Sequence, residues 1–230
     1  EAIQTLKNNG YEPFIATGRS SAETRDIMES ANIHSGIFMN GQVVLYRDQL
    51  VYSSEIPTET VEKFHQMVKE DGYGLTAYND KQFYLVASSP GAKDAYGFIH
   101  SNPPALNPDF YKENPINMML FISLPPAEEK YKVAFPNLDF LRNTPYSVDV
   151  ISKGNSKAEG IKRFLEHLNQ EDAKTYAFGD GPNDIEMLQA VSHPVAMGNA
   201  LPILKEIAEF ITTDNTDNGI VNGLKHYGLI

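Results

Sequence analysis

Hydrophobic and polar positions are arranged in two different ways along this chain. In residues 1–56 and from residue 153 onward, short apolar runs are followed by segments in which apolar residues recur with helical spacing. The C-terminal part predicts helices and strands in turn, at 156–169, 175–179, 184–191, 194–197, 201–209, 210–213 and 220–227. Because helices and strands alternate in this way in parallel sheets, the pattern indicates an α/β unit.

The middle of the chain follows another pattern. A helix is predicted at 58–70, with Val61, Phe64 and Val68 on its apolar face. Strands are predicted at 75–78, 82–88, 117–124 and 146–151, and a Pro- and Asn-rich stretch occupies 101–115. Hairpin-type strands with helices on one face indicate an α+β unit inserted into the α/β unit. We expect its boundaries near residues 57 and 152.

A cluster of polar residues follows the predicted strand at 175–179. Asp180, Asn183 and Asp184 lie within five residues, between the strand and the next helix. Open α/β sheets bind ligands at the carboxyl ends of their strands, so these side chains stand where a ligand would bind. Two carboxylates around one turn repel each other without a cation, and Mg²⁺ prefers oxygen ligands of this kind. The alternative is structural, because Asp-Gly is a common turn and Asn or Asp often caps a helix.

Two segments near the N-terminus carry polar residues that suit the same kind of site. Thr17 and Gly18 end the apolar run 14–16, and a hydroxyl with backbone N–H groups at a helix start can hold phosphate oxygens. The alternative is an ordinary loop in which Ser20 or Ser21 caps the next helix. Asn40-Gly41 lies between apolar runs, where it forms either a turn or a close approach of the backbone to a ligand.

Lys157 is the candidate cation. It lies in the first turn of a helix predicted to begin near Ser156. A cation there is disfavoured by the helix dipole, which indicates a task such as holding an anion. Lys153 is the competing candidate, but we prefer Lys157 because it is on the helix and not in the loop. A solvated lysine remains the structural alternative.

Taken together, these segments resemble the haloacid dehalogenase-like (HAD) phosphatases, and within them the Cof-type phosphatases of sugar phosphates and phosphorylated cofactors. The matching motifs run in family order: Ile15-Ala-Thr17-Gly18-Arg19, Asn40-Gly41, Ser156-Lys157-Ala-Glu-Gly160-Ile161, Phe178-Gly-Asp180-Gly181-Pro-Asn183-Asp184-Ile-Glu-Met-Leu188, Val195-Ala-Met-Gly-Asn199-Ala200 and Asn218-Gly219-Ile220. The resemblance implies a HAD Rossmann-like parallel sheet core at 1–56 and 153–230. It also implies that 57–152 is an inserted α+β cap domain of subclass IIB, which determines substrate specificity.

The resemblance further implies an activity, the Mg²⁺-dependent hydrolysis of small phosphomonoesters through an aspartyl-phosphate intermediate. Asp180 would bind Mg²⁺ directly, and Asp184 would hold a metal-bound water or orient its neighbours. Lys157 would pair with the phosphate and shield the nucleophile, which makes Lys157, Asp180 and Asp184 the catalytic candidates. The phosphate-binding candidates are Thr17, Gly18, Asn40, Lys157 and Asn183.

One family motif does not occur in this sequence. The first strand of the family ends in Asp-x-Asp-Gly-Thr, in which the first Asp is the nucleophile and the second is the general acid. This chain instead opens at Glu1 inside a predicted helix that ends at Asn9-Gly10. We expect a strand and its loop, on the order of 20–30 residues, upstream of Glu1. We also expect residues 1–230 alone to have no phosphatase activity.

Two other functional classes stay open beside the phosphatase. One is a HAD-like protein that binds a phosphorylated metabolite without turning it over. The other is a sugar phosphotransferase or phosphomutase on the same fold. Release of phosphate to water, as opposed to transfer to a second sugar, separates the phosphatase from the transferase.

Composition narrows the range of partners. The 230 residues are 41% hydrophobic and 21% charged, which is typical of a globular protein. A net charge of −11 argues against nucleic acid or an anionic membrane as partner. The family resemblance implies a small phosphorylated metabolite as the partner. The sequence has no cysteine, which excludes disulfides and thiol catalysis. We expect a cytoplasmic location.

Overall fold

The computed structural model describes residues 1–230, except for the side chain of Asn143. The chain divides into two compact units. The first unit comprises Glu1–Thr17, Thr24–Tyr52 and Ser156–Ile230, and the second comprises Gly18–Glu23 and Ser53–Asn155. The domain boundaries that the sequence suggested near 57 and 152 stay predictions.

Helices occur in both units of the chain. The α-helices are α1 (Ala2–Asn8), α2 (Ser21–Ala31), α3 (Thr58–Asp71), α4 (Ala92–Phe98), α5 (Phe110–Glu113), α6 (Glu128–Ala134), α7 (Lys157–Leu168), α8 (Ile185–Ala190), α9 (Pro202–Ile207) and α10 (Gly219–His226). Short 3₁₀ turns lie at Met39–Gly41 and Pro182–Asp184. In the described residues, no helix combines the length and the apolar character that crossing a membrane requires.

The strands form three sheets. They are β1 (Ile15–Ala16), β2 (Gly36–Phe38), β3 (Val43–Tyr46), β4 (Gln49–Ser53), β5 (Gly74–Tyr78), β6 (Phe83–Ala87), β7 (Met118–Ile122), β8 (Leu138–Thr144), β9 (Ser147–Ser152), β10 (Tyr176–Gly179), β11 (His193–Ala196) and β12 (Phe210–Ile211). The strand orders are β1-β2-β3-β4, β10-β11-β12 and β6-β5-β7-β9-β8.

The first unit contains the parallel pairs. β1 pairs with β2 in parallel, whereas β2 and β3 are antiparallel. β10, β11 and β12 are parallel throughout, and helices α8 and α9 connect them. The parallel α/β character predicted from the sequence is therefore confirmed, although these strands form two sheets and not one.

Helix α7 begins and packs as its sequence predicts. The Ser156 side chain accepts a hydrogen bond from the Glu159 N–H at 3.3 Å, which satisfies one of the free donors at the helix start. The apolar face includes Phe164, which is buried in a cluster with Ile37 and Val44. Burying this face fixes α7 against β2 and β3, so the first turn of the helix is held in a defined place.

The second unit is an antiparallel sheet covered by helices. Val61, Phe64 and Val68 of α3 are each 0% exposed, and they pack in the main core of this unit. The sequence did not predict α4, α5 or β8. α4 and α5 have only 7 and 4 residues, too short for a clear periodicity, and polar residues break the alternation along β8.

Glu128 corrects one expectation. Two adjacent glutamates on a helix predict a solvated face for Glu128 and Glu129, but Glu128 is only 6% exposed. Its carboxylate accepts from Arg142 Nε at 2.6 Å and from Arg142 Nη2 at 2.7 Å. This bidentate bond from β8 holds the pKa of Glu128 below its usual value. A helical pattern shows which residues share a face, but not that a distant strand will cover it.

Candidate active site

The polar cluster lies at the carboxyl end of β10. Asp180 follows the strand directly, and the 3₁₀ turn Pro182–Asp184 leads into α8. The turn is tight, because a Cβ on Gly179 would lie 2.7 Å from the Asp184 Cβ. Only a glycine at this position lets the chain fold back so closely. Asp180 is exposed, whereas Asp184 is buried.

Asp184 organises this loop. Its Oδ1 accepts from Lys157 Nζ at 2.6 Å, and the two side chains are 8% and 6% exposed. Its Oδ2 accepts from the backbone N–H groups of Asp180 and Gly181, each at 3.0 Å. Both carboxylate oxygens are thus engaged with the protein. The buried ion pair ties the first turn of α7 to the loop that presents Asp180.

A second set of contacts joins this loop to the N-terminal strands. Asn183 Nδ2 donates to Asn40 Oδ1 at 3.1 Å. Asn40 is 1% exposed and has φ 53°, a left-handed conformation that Asn tolerates better than most residues. Its N–H donates to the Thr17 carbonyl at 3.1 Å, and the Thr17 N–H donates to the Ile37 carbonyl at 2.9 Å. The end of β1 and the Asp180 loop are therefore linked through Asn40.

Gly41 allows α7 to approach this turn. Its φ is +92°, and a Cβ there would overlap the Ser156 carbonyl oxygen. No other residue fits both the conformation and the contact. The close approach of Gly41 to Ser156 places the neighbouring Lys157 beside the loop of Asp184. Asn40-Gly41 thus forms a turn that lies against the start of α7, and its role in binding stays a prediction.

The structure brings together most of the residues that the sequence singled out. Lys157, Asp180, Asn183, Asp184 and Asn40 form one connected group, and Thr17 joins it through its backbone. Their roles in binding and catalysis stay predictions.

Two residues stand apart from this group. Gly18 follows Thr17 in the chain but is grouped with the second unit, so its phosphate-binding role also remains a prediction. Lys153 is exposed and donates to the Pro136 carbonyl at 3.5 Å within the second unit. Because Lys153 lies apart from the connected group, Lys157 stays the preferred candidate for the functional lysine.

One residue of the group received no role from the sequence. Asn199 Nδ2 donates to Asp180 Oδ2 at 2.7 Å. Asn199 lies in the loop after β11, the strand next to β10 in the sheet. A signal was present, because Gly198-Asn199 follows an apolar strand in the same way as Gly179-Asp180. Polar residues at the carboxyl ends of adjacent parallel strands are expected to meet.

The donor set at Asp180 suits Mg²⁺. Within the part of the chain that the structure describes, no group of three His, Cys, Asp or Glu side chains could hold a metal ion. Mg²⁺, however, commonly binds through one or two carboxylates and fills its remaining positions with water and phosphate oxygens. The exposed Asp180 carboxylate fits such a ligand. Asp184, with both oxygens engaged, fits better the second of its two expected roles, that of orienting its neighbours.

Comparisons with known proteins agree with this architecture. Residues 1–224 match the family model described as haloacid dehalogenase-like hydrolase. The Bacillus subtilis (strain 168) protein named "Putative phosphatase YkrA" is 36% identical over 231 residues, covering 100% of this chain and 90% of the relative.

Two solved structures are similar over the whole chain. A crystal structure of a hypothetical protein from Geobacillus kaustophilus HTA426 superposes with a TM-score of 0.93 at 32% identity, covering 100% of this chain and 90% of the other. The HAD subclass IIB sugar phosphatase BT4131 superposes with a TM-score of 0.83 at 27% identity, with the same coverage. On this evidence, the chain belongs to the haloacid dehalogenase-like hydrolases.

Proposed function

We propose that this protein is a Mg²⁺-dependent phosphatase that hydrolyses small phosphomonoesters, either sugar phosphates or phosphorylated cofactors. The observation that carries the proposal is the loop at the end of β10, in which the exposed Asp180 donates its N–H to Asp184 of the buried Lys157–Asp184 pair. The names of two similar proteins, a phosphatase from B. subtilis and the sugar phosphatase BT4131, support the reaction class.

The charge balance of the reaction explains why a cation is needed. A phosphomonoester is an anion, and the family attacks it with a carboxylate, so the two reactants repel each other. When bound, Mg²⁺ supplies the positive charge that offsets this repulsion. Asp180 would hold the ion through its carboxylate. Mg²⁺ as cofactor and Asp180 as its ligand are parts of the proposal.

Lys157 supplies a second positive charge. Its ammonium group has three N–H donors, of which one is directed at Asp184 Oδ1. The ion pair fixes the position of the nitrogen, and a further N–H can then donate to a phosphate oxygen. Because the pair is buried, the field of the lysine is screened less than it would be in water. Asp184 thereby acts through Lys157 and through the loop N–H groups it holds.

Uncharged donors would complete the phosphate site. The Asn183 amide has two N–H donors, and Asn40 Oδ1 accepts one of them at 3.1 Å. This contact orients the amide, so that its second N–H can reach a phosphate oxygen. The Thr17 hydroxyl and the Gly18 N–H would provide further donors at the end of β1. Asn40 then contributes by orienting Asn183.

The bond-making steps follow from the resemblance. An aspartate attacks phosphorus and the ester oxygen leaves with a proton from a general acid. Water then hydrolyses the resulting aspartyl-phosphate. The aspartate nucleophile is implied by the family motif alone and stays a prediction. The residues assigned above stabilise the charge that builds up on the transferring phosphoryl group.

Replacing Asp180 by Asn in the full-length protein tests the proposal. The variant keeps the shape of the side chain but removes its charge, so turnover of p-nitrophenyl phosphate in the presence of Mg²⁺ should be abolished. The exposed Asp172, which lies outside the group of site residues, provides the control Asp172→Asn, which should retain full activity. A panel of sugar phosphates and phosphorylated cofactors then identifies the substrate class.

Three results would contradict the proposal. Turnover that persists in Asp180→Asn would show that Asp180 is not the metal ligand. Tight binding of phosphate esters without any phosphate release would indicate the binding-protein alternative. Transfer of the phosphoryl group to a second sugar, with no release to water, would indicate a phosphotransferase or phosphomutase.

A further inference from the structure

The contact between Asn199 and Asp180 joins two neighbouring strand ends. Asn199 follows β11 and Asp180 follows β10, and these strands are parallel neighbours in register from Tyr176 with His193 to Gly179 with Ala196. The Asn199 Nδ2 to Asp180 Oδ2 distance is 2.7 Å. A hydrogen bond to an ionised carboxylate at this distance is short and strong for its kind. Both side chains are exposed, so water competes with the contact and a rigid support is needed for it to persist.

The loop that carries Asn199 is held from both sides. The Gly198 N–H donates to the Thr213 carbonyl at 3.0 Å, and Lys205 Nζ donates to the Gly198 carbonyl at 2.6 Å. On the far side of the Asn199 amide, the Asn215 N–H donates to Asn199 Oδ1 at 3.1 Å. The loop after β12 thus supports the loop after β11, which in turn contacts the loop after β10.

These contacts fix which way the Asn199 amide points. A backbone N–H can only donate, so the atom facing Asn215 must be the amide oxygen. The NH₂ group is then directed at Asp180, whose ionised carboxylate can only accept. Both ends of the amide are satisfied in this orientation, and neither would be in the flipped one. Asp180 Oδ2 is therefore held by a donor whose direction is set by a different loop.

We propose that Asn199 is a positioning residue for Asp180. It holds Oδ2, and so fixes the rotamer of the carboxylate through which Asp180 would bind Mg²⁺. This inference rests on the proposed function, in which Asp180 binds Mg²⁺. Groups that orient a metal ligand typically contribute about 10–100-fold to metal affinity or activity. In this role Asn199 acts through Asp180 and not on the substrate, so its effect should appear in the Mg²⁺ dependence.

The test compares two asparagines that support the same part of the chain. Asn199→Ala removes the donor to Asp180. Asn222→Ala is the matched control, because Asn222 Nδ2 donates to Thr213 Oγ1 at 2.8 Å and to the Asp217 carbonyl at 3.2 Å, within the loop after β12. Mg²⁺ affinity of the full-length protein is measured by isothermal titration calorimetry without substrate. Turnover of p-nitrophenyl phosphate is measured as a function of Mg²⁺ concentration.

Asn199→Ala should weaken Mg²⁺ binding by about 10–100-fold, with the half-saturating concentration in turnover shifted by a similar factor. At saturating Mg²⁺, kcat should recover to within a few-fold of the parent and KM for the ester should be unchanged. Asn222→Ala should leave the Mg²⁺ affinity within about two-fold of the parent. Asn199→Ser, whose hydroxyl is too short to reach Asp180, should behave like Asn199→Ala, and thermal melting confirms that each variant folds.

The outcomes separate this inference from the function it rests on. Unchanged Mg²⁺ affinity in Asn199→Ala and Asn199→Ser, with Mg²⁺-dependent turnover intact, would overturn the positioning role and leave the phosphatase proposal standing. Equal losses in Asn199→Ala and Asn222→Ala would show a general effect of loop stability, which also overturns it. A parent protein that neither binds Mg²⁺ nor needs it would overturn both proposals.

Discussion

Lys157 and Asp184 form a buried ion pair whose cost must be offset by good geometry. Their side chains are 6% and 8% exposed, and the two atoms that meet are 2.6 Å apart. Taking both charges out of water is unfavourable, and such pairs often add little to stability compared with apolar residues of the same size. Two further N–H groups satisfy the second carboxylate oxygen. We therefore expect the pair to position a positive charge more than to stabilise the fold.

Lys157→Ala in the full-length protein should cost about 2–4 kcal/mol of transition-state stabilisation, because a preorganised charge is lost. The loss appears as a lower kcat/KM for p-nitrophenyl phosphate. Steady-state kinetics at saturating Mg²⁺ measure this loss. The control is Lys153→Ala, which removes an exposed lysine of the second unit and should retain activity. A loss confined to Lys153→Ala would mean that the other lysine is the functional one.

Gly41 is a second kind of case, because the local geometry depends on its lack of a side chain. Gly41→Ala meets both a left-handed backbone, which costs a non-glycine residue about 1–2 kcal/mol, and a clash with the Ser156 carbonyl. Gly10 has a similar φ of +88° with nothing within 4 Å of its Cβ position, so Gly10→Ala carries only the first cost. In urea unfolding, Gly41→Ala should lower the free energy of unfolding by about 1–3 kcal/mol more than Gly10→Ala does. Equal losses would show that Ser156 moves aside freely.

At the scale of elements, the ion pair between Glu128 and Arg142 connects helix α6 to strand β8. Arg142 donates to both oxygens of Glu128 and also to the Ser123 carbonyl at 3.1 Å. The Glu128 side chain is 9% exposed, whereas that of the neighbouring Glu129 is 64% exposed and pairs with Lys132 on the surface. Two adjacent glutamates on one helix thus differ in burial, which makes them a matched pair for experiment.

Glu128→Gln should lower the free energy of unfolding at pH 7 by about 1.5–3 kcal/mol, the usual worth of a hydrogen bond to a charged group. Glu129→Gln should change it by less than about 1 kcal/mol, because exposed ion pairs contribute little. Denaturant unfolding followed by circular dichroism measures both. Similar effects of the two substitutions would show that the Arg142 pair is not stabilising.

The pH dependence of this pair has a definite sign. The pKa of Glu128 is lowered in the folded protein, so the unfolded state binds the proton more readily. The stabilisation is therefore present above the ordinary glutamate pKa and is lost as pH falls through the lowered one. Below that range, the parent and Glu128→Gln should converge in stability. A constant difference down to the lowest measurable pH would contradict this account.

At the scale of the whole molecule, the proposed chemistry is concentrated in the first unit. All residues proposed to bind the metal or the phosphate belong to this unit, except Gly18. The second unit contains a separate core and an antiparallel sheet, and its aromatic residues at the surface and in the core have no assigned chemical task. The resemblance implies that this unit determines which substrate is accepted.

Replacing residues 57–152 of the full-length protein by a short linker should separate chemistry from specificity. Hydrolysis of p-nitrophenyl phosphate, which has a small and activated leaving group, should remain measurable. Discrimination among sugar phosphates and phosphorylated cofactors should collapse, because the loops of the first unit have little with which to grip a leaving group. Circular dichroism checks the fold. A folded variant that keeps the parent's ranking of substrates would place specificity in the first unit.

Local rules explain what the sequence by itself determined. The helical spacing of Val61, Phe64 and Val68 requires one buried face, and all three are fully buried. A hydroxyl at Ser156 caps a helix in any surroundings, so the first turn with Lys157 could be placed from the sequence. The apolar run that ends at Gly179 likewise places Asp180 at the end of a strand. The family resemblance added an expected parallel core, which the structure confirms.

Only the tertiary structure decided which of these residues are partners. Lys157 meets Asp184 across 27 positions and Asn183 meets Asn40 across 143, and Asn199 reaches Asp180 through a neighbouring strand. Glu128 is buried because it pairs with Arg142 of β8, a strand that the sequence pattern did not predict. The periodicity of apolar residues predicts which face of an element is buried, because it can be read within that element alone. Which side chains meet across that face depends on how separate elements pack, and this is set by distant parts of the chain together.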